Sequence, residues 1–174
     1  MAETKSRTLV LARHARAEND APSDAARELS DRGHADAAAM GRWLNESGHH
    51  FDAVVSSTAT RTRQTWTDIE TAGVRAEDVR FDPRIYTADA GVLLEILTEI
   101  PDHVQSVLVI GHAPTIPELA DLLAEPGASD HSALDALRSS FPAGSLAVLA
   151  VSASWSGLTA GGAALNELVV TPRG

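Results

Sequence analysis

Residues 8–18 read TLVLARHARAE, and the abrupt change from an apolar run to a cation and an imidazole decides how the chain is read. Leu9, Val10 and Leu11 have the composition of a short buried strand, which places Arg13 and His14 at its carboxyl end. In open α/β sheets that end of a strand is where ligands bind. Arginine stays charged and presents a planar fork of donors suited to phosphate or carboxylate, and a neutral imidazole is a nucleophile or base near pH 7. The pair points to anion chemistry. A lone Arg-His pair also arises by chance, so the weight falls on what the rest of the chain adds.

Residues 15–29 are polar, rich in Ala, Asp and Glu and without a clean period, and read as a loop over the site. Ser30 has the place of an N-cap, after which Ala37, Met40, Trp43 and Leu44 recur at helical spacing as far as Gly48. Residues 51–56, FDAVVS, read as a strand that turns into a helix, with Ser57 or Thr58 placed to cap its first free amides. Arg61 then lies in the first turn, where free N–H groups and about half a positive charge already favour an anion. Arg63 points elsewhere and is expected to be solvated. Residues 79–81 read as a further strand, and a helix with the stripe Val92, Leu93, Ile96, Leu97 and Ile100 stops at Pro101.

Residues 106–110, SVLVI, form an uninterrupted apolar run of the kind expected of a central parallel strand covered on both faces, and it ends on Gly111 and His112. The next helix carries Thr115 and Glu118 in capping-box register, Pro117 in its first turn, and the stripe Ile116, Leu119, Ala120 and Leu123. Residues 133–137 are expected to make one or two helical turns. Residues 144–152 and 163–170 read as two more strands around a turn holding Gly157, Gly161 and Gly162. Alternating strands and helices make this an α/β chain with a mainly parallel sheet. In such a sheet the strand ends share one edge, so Arg13, His14, Arg61 and His112 are expected to converge.

At 174 residues the chain is long enough for one well-filled core, and residues 1–174 are expected to be a single domain. Aromatic residues are only 4%, so Leu, Val, Ile and Ala should build the core, with Trp43 and Trp66 as large fillers. A formal net charge of -10 argues against a nucleic-acid surface or an anionic membrane, both held by accumulated Lys and Arg. Lys5 is the one lysine, so nearly all the positive charge is arginine. With no cysteine, disulfides, thiolate nucleophiles and thiolate metal sites are excluded. No stretch approaches the roughly 20 apolar residues of a membrane span, and a cytoplasmic monomer is expected.

The runs LVLARHARAE, VVSSTATRTRQT and VLVIGHAPT occur in this order, and together with RELSDRGHADAAAMGRWL and FPAGSLAVL they resemble the histidine phosphatases, most closely the SixA-type phosphohistidine phosphatases. The resemblance covers most of the chain. It implies a three-layer α/β/α sandwich of phosphoglycerate mutase-like fold, and a phosphatase working without metal or cofactor. Three departures stand out: Ala15 replaces the signature glycine, Thr58 stands where proline is common, and Ala113 follows His112 where asparagine is frequent. None of the four charged or imidazole positions is lost.

Phosphoryl transfer depends on positioning and on stabilising the charge of the equatorial oxygens. Arg13, Arg61 and a donating His112 would clamp those oxygens, leaving His14 to attack phosphorus in line and carry a transient phosphohistidine that water hydrolyses. Family members acting on esters use a carboxylic acid from the segment between the second arginine and the second histidine. Asp89 is the candidate general acid there, with helix capping as its competing job. A phosphoramidate nitrogen is protonated more readily than an ester oxygen, so lack of an acid favours a phosphohistidine-bearing protein as substrate and partner. A small phosphate ester is the alternative within the family. Two other classes stay open: a non-catalytic phosphate-binding module, and a metal hydrolase using His14 and His112 with Asp20 or Asp89. His34, His49, His50, His103 and His131 are expected at the surface.

Overall fold

The computed structural model describes residues 5–170. Its six strands are β1 (Arg7–Arg13), β2 (Phe51–Ser56), β3 (Ala76–Phe81), β4 (Ser106–Gly111), β5 (Leu146–Val151) and β6 (Ala163–Val169). Its helices are α1 (Asp31–Glu46), α2 (Thr60–Thr71), the one-turn α3 (Arg84–Thr87), α4 (Ala90–Thr98), α5 (Thr115–Leu123) and α6 (His131–Ser139). The strands form one sheet in the order β3-β2-β4-β1-β5-β6. The first four are mutually parallel, and β5 and β6 run antiparallel at one edge.

The apolar runs at β1 and β4 are uninterrupted because both of their faces are covered, and the period of two decides which side chain goes where. Leu9, Leu11, Val107 and Val109 face a core shared with Leu93, Leu97, Ile116, Leu119, Leu134 and Leu137 of α4, α5 and α6. Val10, Ala12, Leu108 and Ile110 face the opposite core, filled by Ala37, Met40 and Leu44 of α1 and by Trp66 and Ile69 of α2. Helices therefore cover both faces of the sheet, giving the three-layer α/β/α sandwich with a mainly parallel sheet.

Register carries this architecture to the site. Arg13, the last residue of β1, pairs with Gly111, the last of β4, and Ser56 at the end of β2 pairs with Ile110. The carboxyl ends of three adjacent strands are thus level, and whatever follows them emerges side by side.

The loop after β1 is fastened at several points. The Ala15 amide donates to Thr65 Oγ1 at 3.1 Å, and the Leu29 amide donates to Gln64 Oε1 at 2.7 Å. Ser30 caps α1 by accepting from the Gly33 amide at 3.0 Å, while its own hydroxyl donates to the Arg16 carbonyl at 3.2 Å. Gly33 is what permits that approach, since a Cβ there would lie 1.9 Å from the Arg16 oxygen. Ala15 takes the place of a glycine without strain, because among the described residues no non-glycine has a positive φ.

Several local expectations fail for identifiable reasons. Neither Ser57 nor Thr58 is the N-cap of α2; Ala59 holds that position without a side-chain bond, and Ser57 Oγ accepts from the Ala59 amide at 3.3 Å and lies 2.8 Å from His112 Nε2. Thr115 and Glu118 form no capping box, because Thr115 Oγ1 donates to the Ala88 carbonyl at 2.8 Å and ties α5 to the α3–α4 connection. Helix α6 runs nine residues rather than one or two turns, capped by Asp130, which accepts from the Ala133 amide at 2.8 Å. Trp43 is only half-buried, and Trp155 is the fully buried tryptophan, its indole N–H donating to the Val104 carbonyl at 2.8 Å. His34, His103 and His131 are exposed, whereas His49 is half-buried between the rings of Trp43 and Phe51, and His50 Nδ1 accepts from the Arg75 amide.

Candidate active site

Arg13, His14, Arg61 and His112 line one cleft of about 370 Å³ at the carboxyl edge of the sheet, together with Arg16, Arg27, Ala17, Ala113 and Ala143. Among the described residues no carboxylate lines it. Four arginines thus meet in one concavity of a chain whose net charge is -10, which gives the cleft a local field opposite to that of the whole molecule. A larger groove of about 680 Å³ lies beside β3 and α4, but its Arg84 is already paired with Asp82 at 2.8 Å and Glu99 at 2.7 Å.

His14 stands at the floor, 8% exposed. Its backbone amide donates to the Gly111 carbonyl at 3.0 Å, and its Nδ1 lies 2.7 Å from the Ala15 carbonyl. A carbonyl only accepts, so Nδ1 carries the proton and Nε2 is left with its lone pair. Burial, reinforced by the charges of His112, Arg61 and Arg13, lowers the pKa of this ring to about 3. The imidazole is therefore neutral and nucleophilic at every physiological pH.

His112 follows β4, its ring centroid 5.4 Å from that of His14. Its Nε2 is 2.8 Å from Ser57 Oγ and its Nδ1 is 3.4 Å from an Arg61 terminal nitrogen. Guanidinium only donates, so Nδ1 presents a lone pair to Arg61 and Nε2–H donates to Ser57. Burial and then the Arg61 charge lower this ring's pKa to about 4.

Arg61 sits in the first turn of α2, its side chain 7% exposed. Its Nη1 donates to the Asp24 carbonyl at 2.9 Å and its Nη2 to Asp24 Oδ2 at 3.2 Å. Arg13 Nη1 donates to the Phe141 carbonyl at 3.0 Å, and burial lowers the pKa of its guanidinium. The Nε atoms of Arg13 and Arg61 are both buried and have no hydrogen-bond partner among the described residues. Two guanidinium groups thus stand with a neutral imidazole in one cleft, an arrangement suited to an oxyanion.

The structure does not bring Asp89 into this cleft. Its carboxylate accepts from the Val92 amide at 2.9 Å as the N-cap of α4. Arg63 is exposed, with its guanidinium over the Phe81 ring at 4.2 Å. Among the described residues no three His, Cys, Asp or Glu side chains are grouped closely enough to hold a metal ion, and no helix is long and apolar enough to cross a membrane.

Sequence reasoning missed Ser57, Asp24, Tyr86, Arg16 and Arg27. Asp24 lies in the 3-10 turn Asp24–Ala26, and its carboxylate accepts from Tyr86 Oη as well as from Arg61 and, at 3.0 Å, from Arg27 Nε. The Tyr86 ring meets His112 edge-on at 5.7 Å. One signal was present: an arginine three residues after Asp24 in a loop already assigned to the cleft.

Residues 9–108 match the histidine phosphatase superfamily (branch 1), a span that includes Arg13, His14 and Arg61 and ends just before His112. An uncharacterized protein of Mycobacterium tuberculosis is 37% identical over 154 residues, covering 88% of this chain and 95% of that protein. A structure from Nakamurella multipartitia, provisionally named the phosphohistidine phosphatase SixA, is 37% identical with a TM-score of 0.84, covering 95% of this chain and 96% of that one. Its counterpart from Agrobacterium tumefaciens, provisionally named in the same way, is 28% identical with a TM-score of 0.76, covering 94% and 97%. With the family matched over more than half its length, the chain belongs to the histidine phosphatase superfamily and is a phosphatase of the SixA type.

Proposed function

We propose that the chain hydrolyses phosphohistidine carried on a protein, through a phosphoryl group held transiently on His14. The observation that carries this reading is that a lone pair at His14 Nε2 shares one cleft with the guanidinium groups of Arg13 and Arg61. The arginines take the equatorial oxygens while Nε2 attacks phosphorus in line. A phosphoryl dianion offsets the repulsion that Arg61 exerts on His112, which favours the protonated ring, and its Nδ1–H then donates to a third oxygen. Ser57 holds that ring from the other side. Water hydrolyses the adduct and frees His14.

The choice of substrate rests on the surroundings of the clamp. No carboxylic acid lines the cleft to protonate an ester oxygen, and Asp89 is occupied as a helix cap. The two SixA-type structures are also provisionally named phosphohistidine phosphatases. Rapid quenching of turnover should trap an acid-labile, alkali-stable phosphoryl group on His14, and His14→Ala should abolish both the adduct and hydrolysis. Equal labelling of His14→Ala would overturn the assignment of the nucleophile, and wild-type protein that cleaves an aryl phosphate but not phosphohistidine would overturn the substrate.

A further inference from the structure

Asp24 is the one carboxylate bonded to the cationic clamp among the described residues, and the phosphoryl transfer to His14 leaves it without a task. Its carbonyl and its Oδ2 together hold both terminal nitrogens of Arg61, Oδ2 also accepts from Tyr86 Oη, and Oδ1 accepts from Arg27 Nε. Arg61 Nη2 in turn is 3.4 Å from His112 Nδ1, so the carboxylate stands one guanidinium away from where the phosphoryl group would lie. Its side chain is 56% exposed where that of Arg61 is 7%. Arg61 and Arg27 both line the cleft and Asp24 bonds each of them from its exposed position, which puts it at the rim; His14 is at the floor, so in-line attack drives the leaving group toward that rim.

The hydrogen bond from Tyr86, with the charges and hydrogen bonds of Arg61 and Arg27, lowers the Asp24 pKa to about 2. At neutral pH it holds no proton to give. An ionised carboxylate beside an ester leaving group repels the charge growing on oxygen. Beside a leaving imidazole the same charge helps, because the ring's remote nitrogen carries an N–H and the proton there is what makes the ring a good leaving group.

We propose that Asp24 is a specificity-determining residue whose carboxylate accepts the remote ring N–H of the phosphohistidine being cleaved. This rests on the phosphohistidine reading and deepens it. In the step, the His14 Nε2 lone pair forms the new N–P bond, the substrate's N–P bond breaks, and its electron pair stays on the departing ring nitrogen. The ring keeps its remote proton and leaves as neutral imidazole, so the enzyme supplies no proton. Asp24 holds the ring in its protonated form at pH values above the ordinary imidazole range of about 6.5.

The test compares kcat/KM of wild type and Asp24→Asn on phosphohistidine and on p-nitrophenyl phosphate, whose leaving phenolate needs no proton. Taking the ratio of the two substrates cancels any slackening of Arg61. The ratio should fall by about tenfold to a hundredfold, the size of one charge-assisted hydrogen bond, and should fall further at pH 8 than at pH 6. Of the groups facing Asp24, Tyr86 is pushed further up by Asp24 itself, the guanidinium groups of Arg27 and Arg61 are common to both substrates, and any proton that the bound phosphoryl group brings to His112 is likewise common to both and cancels in the ratio, so the departing ring is what titrates in that window. Should the amide variant fail to fold, Asp24→Ser in the same exposed turn gives the same readout. An unchanged ratio, with wild type active on both substrates, overturns the proposal and makes Asp24 only a support for Arg61. Wild type inactive on phosphohistidine but active on the aryl phosphate overturns the substrate reading first.

Discussion

Replacing His14 by glutamine should make the protein less sensitive to acid, and the size of the effect follows from the burial of the ring. An unfolded histidine titrates near 6.5, whereas the folded His14 titrates at about 3. As pH falls below 6.5 the unfolded chain gains a proton that the folded one refuses, so folding loses stability until pH reaches the folded value. Between pH 7 and pH 5 the loss is about 1.5 pH units at 1.36 kcal/mol each, or about 2 kcal/mol. His112 contributes in the same direction, but it is present in both proteins and cancels. Urea unfolding followed by tryptophan fluorescence, at pH 7 and pH 5 in buffers free of phosphate and sulfate, gives the four free energies. The wild type should lose about 2 kcal/mol more than His14→Gln between the two pH values. Equal losses, within about 0.5 kcal/mol, would mean that His14 is protonated as easily in the fold as in water. The neutral nucleophile would then have no basis.

Two further outcomes test the scaffold. Asp89→Ala should cost about 1 kcal/mol through loss of the α4 cap, a fall of about 2 to 4 °C in Tm, with kcat/KM on an aryl phosphate changed less than about threefold; a hundredfold loss of activity would return Asp89 to the catalytic machinery. Trp155→Ala should cost about 3 to 5 kcal/mol in urea unfolding, because it empties a fully buried site and orphans the Val104 carbonyl; a loss under about 1 kcal/mol would show that the loop carrying it is dispensable to the core.

What the sequence discloses and what it hides divide along physical lines. The strands at 9–11 and 106–110 are legible because they are buried on both faces, and an unbroken apolar run too short for a buried helix fits a central strand. Arg13, His14, Arg61 and His112 are legible because each stands at or just beyond a strand that parallel pairing brings to one edge. Trp155 is hidden because it sits in the polar string SASWSG, where nothing periodic signals burial. Ser57 is misread for a related reason: a serine ahead of a helix looks like a cap, and only the tertiary fold brings His112 within 2.8 Å of its hydroxyl. Asp24 and Tyr86 lie 62 positions apart in segments without amphipathic pattern, so their contact has no local signature.

The hidden residues are also the ones that reconcile an acidic chain with a cationic cleft. Arg61 is almost wholly buried, and a buried guanidinium without a counter-charge is costly in any fold. Asp24 offsets that charge, yet it does so from the exposed side and engages only the terminal nitrogens. The Nε groups of Arg13 and Arg61 are buried and have no hydrogen-bond partner among the described residues. The fold therefore holds Arg61 through its terminal nitrogens at the rim and leaves the cleft lined by four arginines and no carboxylate among the described residues, a local field suited to an anion. A carboxylate placed within that cleft would offset the arginine charge further and weaken the field.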